Sequence, residues 1–93
     1  MKTPTPTNQF QPPPDLPKAL EAAQRALAAN PHSIFAYILV GDLLEVQGDL
    51  VRALAAYEAA QFEFRRQHPD GPAPPLRLIQ KSAKLRAQVR LLR

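Results

Sequence analysis

Apolar and polar residues do not alternate with the two-residue period of a half-buried strand, and the chain instead divides into four helix-forming stretches. The first covers residues 16–29 and consists almost wholly of Ala, Leu, Lys, Glu, Gln and Arg, which are good helix formers. Asp15 precedes it as a capping residue, and Pro17 lies in the first turn, where proline is tolerated. Pro31 ends the stretch, because the residue before a proline is pushed away from helical geometry.

Capping residues also delimit the second and third stretches. Ser33 is a good cap for a helix over residues 34–47, and Gly48 supplies the left-handed residue that is common just past a helix end. Asp49 at once caps a third helix over residues 50–67, which contains no internal Gly or Pro. These signals predict two helices joined by a very short turn.

A loop with four prolines, residues 69–75, separates the third helix from a fourth, which we expect from about residue 75 to near residue 93. The apolar stripe of this fourth helix alternates spacings of four and three residues, as in coiled-coil packing: Leu78, Ser82, Leu85, Val89 and Leu92. The chain is therefore predicted to form an all-α domain over residues 15–93.

The segment before this domain, residues 1–14, holds five of the 11 prolines and few large apolar residues. It cannot bury enough surface to offset its ordering entropy, so we expect a disordered Pro-rich arm.

This segment has no apolar run of the roughly 7–15 residues found in a secretory signal. Nowhere does the chain reach the roughly 20 apolar residues of a membrane span, and we expect a cytoplasmic protein. The absence of Cys excludes a disulfide scaffold and any thiolate metal site.

An internal repeat becomes visible when the chain is shifted by 34 residues. Residues 15–26 then lie over residues 49–60, with six identities in twelve positions. A fixed period in this range is typical of stacked helical units.

The stretch over residues 34–67 resembles one tetratricopeptide repeat, a two-helix unit of this length. The residues at the matching spacings are Tyr37, Val40, Gly41, Leu44, Ala53, Tyr57 and Ala60. The resemblance implies an antiparallel stack with a half repeat at 15–30, a full repeat at 33–67 and a basic capping helix at 75–93. Arg65 stands where Pro31 ends the preceding unit, so we expect the third helix to run on by about a turn. The end of the chain is also loosely similar to the tetratricopeptide-like activation domains of bacterial transcriptional regulators.

In tetratricopeptide proteins the first helix of each repeat lines a concave groove that holds peptides or helices. The resemblance assigns to this groove Phe35, Ile38, Asp42, Glu45 and Val46. An apolar patch beside two carboxylates favours a basic amphipathic helix or an extended peptide with apolar anchors. The alternative is that the chain's own fourth helix covers the apolar members of this set.

Charge is concentrated in the fourth helix. Its six cations are Arg77, Lys81, Lys84, Arg86, Arg90 and Arg93. Residues 1–73 carry six basic and eight acidic groups, so the net charge of +4 comes from this helix alone. The cations are expected either to remain solvated on a capping helix or to bind nucleic acid or another anionic surface.

Catalytic chemistry is not expected. His32 and His68 lie beside prolines and have no second ligand at helical spacing, so we expect no metal site and no cofactor. Asp42 and Glu45 share a helix face without an implied pocket, while Glu58 and Glu63 are expected to be surface charges. The sequence favours a small adaptor that binds a protein or peptide partner.

Self-association is a further expectation. At least three stacked repeats are usually needed to bury a continuous core, and this chain has fewer. A homodimer could cover the side of the first helix that lacks a partner, by face-to-face packing or by exchange of the fourth helix.

Overall fold

The structure is a computed structural model that describes residues 15–92, and within these residues it contains four α-helices and no strand. The helices are α1 (Leu16–Ala29), α2 (Ile34–Gln47), α3 (Leu50–Gln67) and α4 (Leu76–Leu91). The prediction of an all-α domain is confirmed. The expected Pro-rich arm at 1–14 and the last residue, Arg93, lie outside the described residues.

The capping residues explain where α2 and α3 begin and end. The hydroxyl of Ser33 and the carboxylate of Asp49 each accept a hydrogen bond from the backbone amide three residues further on, at 3.1 and 3.3 Å. Gly48 adopts φ 89° and ends α2, with its amide bonded to the carbonyl of Glu45. Asp15 precedes α1 as expected, but its side chain makes no capping hydrogen bond.

Each helix packs only against its neighbours along the chain, α1 on α2, α2 on α3 and α3 on α4. Successive cross-helix pairs show that α3 and α4 are antiparallel, since Glu58 contacts Arg86 whereas Gln61 contacts Ser82. The buried apolar core follows the stack and is formed by Leu20, Ala23, Val40, Leu44, Ala53, Ala56, Tyr57, Ala60, Leu78 and Leu85.

The ring of Tyr57 forms the centre of this core and is fully buried. It lies directly against the backbone of α2 at Gly41, where no side chain separates the two helices. Ala53 and Ala60 on the same helix are also fully buried, which lets neighbouring helices approach closely.

The last turn of α3 holds the connection between α1 and α2. As expected, α3 is longer than α2, at 18 residues against 14. The side-chain amide of Gln67 donates to the carbonyl of His32 at 2.7 Å, and the imidazole of His32 lies 3.2 Å from the Glu63 carboxylate. Glu63 also accepts from Arg66 at 3.0 Å and is only 7 % exposed, so its prediction as a surface charge is wrong. The cause is the extra turn of α3, which reaches over the preceding connection.

None of the four helices in residues 15–92 combines the length and the apolar character needed to cross a membrane.

Candidate functional site: a cleft between α2 and α4

A cleft of about 220 Å³ lies between α2 and α4, because both helices pack on α3 but not on each other. Its lining consists of Ile38, Asp42, Tyr57, Pro75, Arg77, Leu78 and Lys81. Ile38 and Leu78 provide apolar walls from the two helices. The Tyr57 ring reaches the cleft from α3 and forms its floor.

A network of charged and polar groups closes one end of the cleft. The Lys81 ammonium lies 3.0 Å from the Asp42 carboxylate and 3.2 Å from the Glu45 carboxylate, so it ties α4 to α2. It also donates to the Tyr57 hydroxyl at 3.1 Å and lies 5.2 Å from the centroid of that ring. The Tyr57 hydroxyl has one proton, which it donates to Asp42 or to Glu45.

The network also shifts the ionisation of its members. Burial, with the hydrogen bond to Asp42 next in effect, raises the pKa of Tyr57 well above its ordinary value. Burial by itself lowers the pKa of Lys81, but the hydrogen bonds to Asp42 and Glu45 outweigh it and raise the pKa overall. Both shifts favour a neutral phenol and a charged ammonium, so Tyr57 and Lys81 both keep their protons at neutral pH.

The five predicted groove residues fall into three groups in the structure. Phe35 and Val46 are 73 % and 55 % exposed, so α4 does not cover them. Ile38 is half-buried in the cleft wall. Asp42 and Glu45 face Lys81 of the same chain, which neutralises one of their two formal charges.

The predicted basic surface is also divided. Lys81 is held in the network, and Arg86 pairs with Glu58 at 2.8 Å. Arg77 lines the cleft, Lys84 is exposed, and Arg90 lines a shallow apolar depression on the other side of α4. Arg93, the sixth cation of the predicted set, lies outside the described residues.

Sequence reasoning did not anticipate that α4 supplies half of the cleft. Leu78 was assigned only to the stripe that covers α3, and Lys81 only to the basic surface. The sequence holds a usable signal, because one helix carries two cations four residues apart and another carries two carboxylates three residues apart, so each pair shares a helix face.

The size of the cleft limits what it can hold. Pockets for drug-sized ligands and cofactors have volumes of roughly 300–1,000 Å³, which exceed that of this cleft. Within residues 15–92, no three His, Cys, Asp or Glu side chains gather as a metal site would require. The cleft is suited to a single apolar side chain that projects from a peptide.

Comparisons of the chain with protein-family models, with curated proteins and with solved structures found no match.

Proposed function

We propose that this chain is a small tetratricopeptide-like interaction module that holds an extended peptide in the groove between α2 and α4. The observation that carries the proposal is the open cleft with two apolar walls, together with the exposed Phe35, which precedes the wall residue Ile38 by one turn of α2. Exposed aromatic residues next to a preformed cleft are typical of surfaces where a few side chains provide most of the binding energy.

Three features of the helical stack support the repeat interpretation. The chain repeats with a period of 34 residues, and its helices pack in chain order. Gly41 and Tyr57, which match positions of the family pattern, are in direct contact between α2 and α3. A helix pair with these contacts buries its apolar face only by stacking on its neighbours.

The charges around the cleft indicate which charged residues should flank the apolar anchor of a bound peptide. Arg77 lies at the end formed by Pro75, whereas Asp42 and Glu45 leave one uncompensated negative charge at the other end. The favoured peptide has an apolar anchor between an acidic and a basic residue. Because Lys81 already holds both carboxylates in place, binding does not require these side chains to be ordered first.

Peptides selected from a random displayed library on the immobilised full chain provide the test. For a selected peptide, we expect Phe35→Ala and Ile38→Ala to weaken binding by about tenfold or more in fluorescence anisotropy, which corresponds to about 1.4 kcal/mol. Phe62→Ala is the matched control, because Phe62 is a 64 % exposed aromatic residue on α3 and not on the helix that carries Ile38. Selected peptides that bind both groove variants as tightly as the unchanged protein would refute the proposal.

The alternative of nucleic acid binding through α4 has weaker support. Two of its five described cations, Lys81 and Arg86, already pair with carboxylates of the same chain. Affinity for phosphate backbones depends on the number of cations that can neutralise phosphates, and this number is small here.

A further inference from the structure

The helix α4 has a second apolar stripe on the side turned away from α3. Its members recur at helical spacing and are Leu76, Ile79, Ala83, Ala87 and Leu91. Leu76 and Leu91 are 66 % and 85 % exposed, and both alanines are exposed as well. The opposite side of α4, which carries Leu78 and Leu85, is buried on α3. The helix thus has the two apolar sides of a helix in the middle of a stack, although its backbone packs against only one other helix.

The other end of the stack is built differently. The side of α1 turned away from α2 carries Lys18, Glu21 and Arg25, and the last two form an ion pair at 3.3 Å. Stacks of helical repeats stay soluble when the outer side of a terminal element is polar. By this criterion α1 ends the stack, whereas α4 presents a surface on which a further helix can pack.

The charges beside this stripe indicate what kind of helix would fit. Arg77 and Lys84 border it on one side, whereas Arg90 lies between Ile79 and Ala83 on the helical projection. None of these three cations takes part in an ion pair among residues 15–92. All eight Asp and Glu side chains of the sequence lie within residues 15–92. None of these carboxylates forms an ion pair with Arg77, Lys84 or Arg90. The stripe is therefore positive along the border with Arg77 and Lys84, and again at Arg90 near its C-terminal end.

We propose that the outer side of α4 docks an amphipathic helix of a partner protein whose apolar stripe is flanked by Asp or Glu. Such a helix would bury Leu76 and Leu91 and would place its carboxylates beside Arg77, Lys84 and Arg90. It would continue the stack by one helix. This site is separate from the peptide groove, which opens between α4 and α2.

A second copy of the chain fits this surface poorly. Packing α4 on α4 about a twofold axis brings Arg77 and Lys84 of one copy towards the basic side chains of the other, where like charges repel. Packing on the outer side of α1 is also unfavourable, because Lys18 and Arg25 outnumber Glu21 there. A nucleic acid offers phosphates to the cations but would leave the apolar stripe exposed to water.

The test uses a labelled amphipathic helical peptide of about 18 residues with Leu along one side and Glu on both flanks, and a second peptide with Lys in place of every Glu. We expect the Glu peptide to bind the full chain in fluorescence anisotropy and the Lys peptide to bind at least about tenfold more weakly. Added salt should weaken the binding of the Glu peptide, because screening reduces the attraction between exposed charges.

Ala83→Glu places a negative charge in the middle of the stripe and should reduce binding of the Glu peptide by about tenfold or more. Ala22→Glu is the matched control, because Ala22 is an exposed alanine on α1. Phe35→Ala separates this site from the peptide groove and should leave binding of the helical peptide unchanged.

Three results would overturn the proposal. The first is that Ala83→Glu binds the Glu peptide as well as the control does, or that neither peptide binds. The second is an oligonucleotide that displaces the peptide and whose own binding is insensitive to Ala83→Glu. The third is a dimer of the unchanged chain, measured by light scattering, that Ala83→Glu converts to a monomer, because a second copy would then occupy the surface.

Discussion

Gly41 and Tyr57 are in contact so close that no further carbon atom fits between them. A β-carbon built on Gly41 would lie 2.7 Å from the Cε1 atom of the Tyr57 ring. The ring is fully buried, so it cannot swing into solvent to make room. The distance between α2 and α3, and therefore the position of the cleft floor, depends on the missing side chain at residue 41.

We expect Gly41→Ala to destabilise the fold by about 1–3 kcal/mol, because overpacking displaces the buried ring. The better helix propensity of Ala, worth about 1 kcal/mol, opposes this effect without reversing it. Urea unfolding followed by circular dichroism measures the change. In a Tyr57→Leu background the same substitution should be neutral or stabilising, and a Gly41→Ala variant that is more stable than the unchanged chain would contradict the packing described here.

Stability should fall in alkaline solution because of Tyr57 and Lys81. Both have a pKa that is higher in the folded chain than its ordinary value, so their contribution is complete below about pH 10. Above that pH the unfolded chain loses protons that the folded chain still holds, and unfolding becomes more favourable. Between pH 7 and about pH 9 the urea midpoints should therefore be level, and they should decline beyond about pH 10.

Two variants test the origin of this decline. Tyr57→Phe should remove part of it, because no phenol then titrates in the network. Tyr37→Phe leaves Tyr57 as the sole tyrosine of the chain, so ultraviolet absorbance reports its ionisation directly. Ionisation of that tyrosine near its ordinary pKa, about 10, while the chain is still folded would contradict the network.

Glu63 should make stability sensitive to acid. Burial alone raises its pKa, but the hydrogen bonds with His32 and Arg66 outweigh this and lower it below the ordinary value. Its contribution is therefore present above about pH 4.3 and is lost as the pH falls through the folded-state value. Glu63→Gln should lower the urea midpoint at pH 7, and the difference from the unchanged chain should shrink towards zero below about pH 4. A difference that stays constant with pH would mean that packing, rather than charge, explains the effect.

The buried pair Gln61 and Ser82 should behave as a coupled unit. The Gln61 amide donates to the Ser82 hydroxyl at 2.6 Å, and the hydroxyl donates to the Leu78 carbonyl at 3.0 Å. Ser82→Ala leaves a buried amide without this acceptor and should cost about 1–3 kcal/mol. Adding Gln61→Leu should recover most of that loss, as measured by a double-mutant cycle of unfolding free energies. Independent, additive effects would contradict the coupling.

The helices themselves were well predicted from local sequence signals. The bounds of α1, α2 and α3 agree with the expectation at both ends, because Pro31, Gly48 and the capping residues act on the backbone within a few residues. For α4 the expectation was close, and the helix ends at Leu91. Asp15 shows the limit of such signals, since its position was right but its side chain does not form the cap.

The cleft could be predicted only in part. Of the two aromatic or aliphatic residues that the resemblance assigns to the start of α2, Ile38 lines the cleft, whereas Phe35 is exposed and is not among the lining residues. The pairing of Lys81 with Asp42 was not foreseen, because 39 residues separate them and the relative rotation of α2 and α4 is set by how each packs on α3. Glu63 was misplaced for a similar reason, since its partner His32 is 31 residues away.

The packing of each helix only on its neighbours along the chain also governs how the protein should fold. The first helix pair can pack without distant parts of the chain meeting, so the loss of loop entropy before the first stabilising contacts is small. Proteins dominated by such local contacts fold in microseconds to milliseconds. The α2–α3 hairpin, closed by the two-residue turn at Gly48 and Asp49, is the smallest unit that contains Gly41 and Tyr57, and α1 and α4 pack on opposite members of this pair.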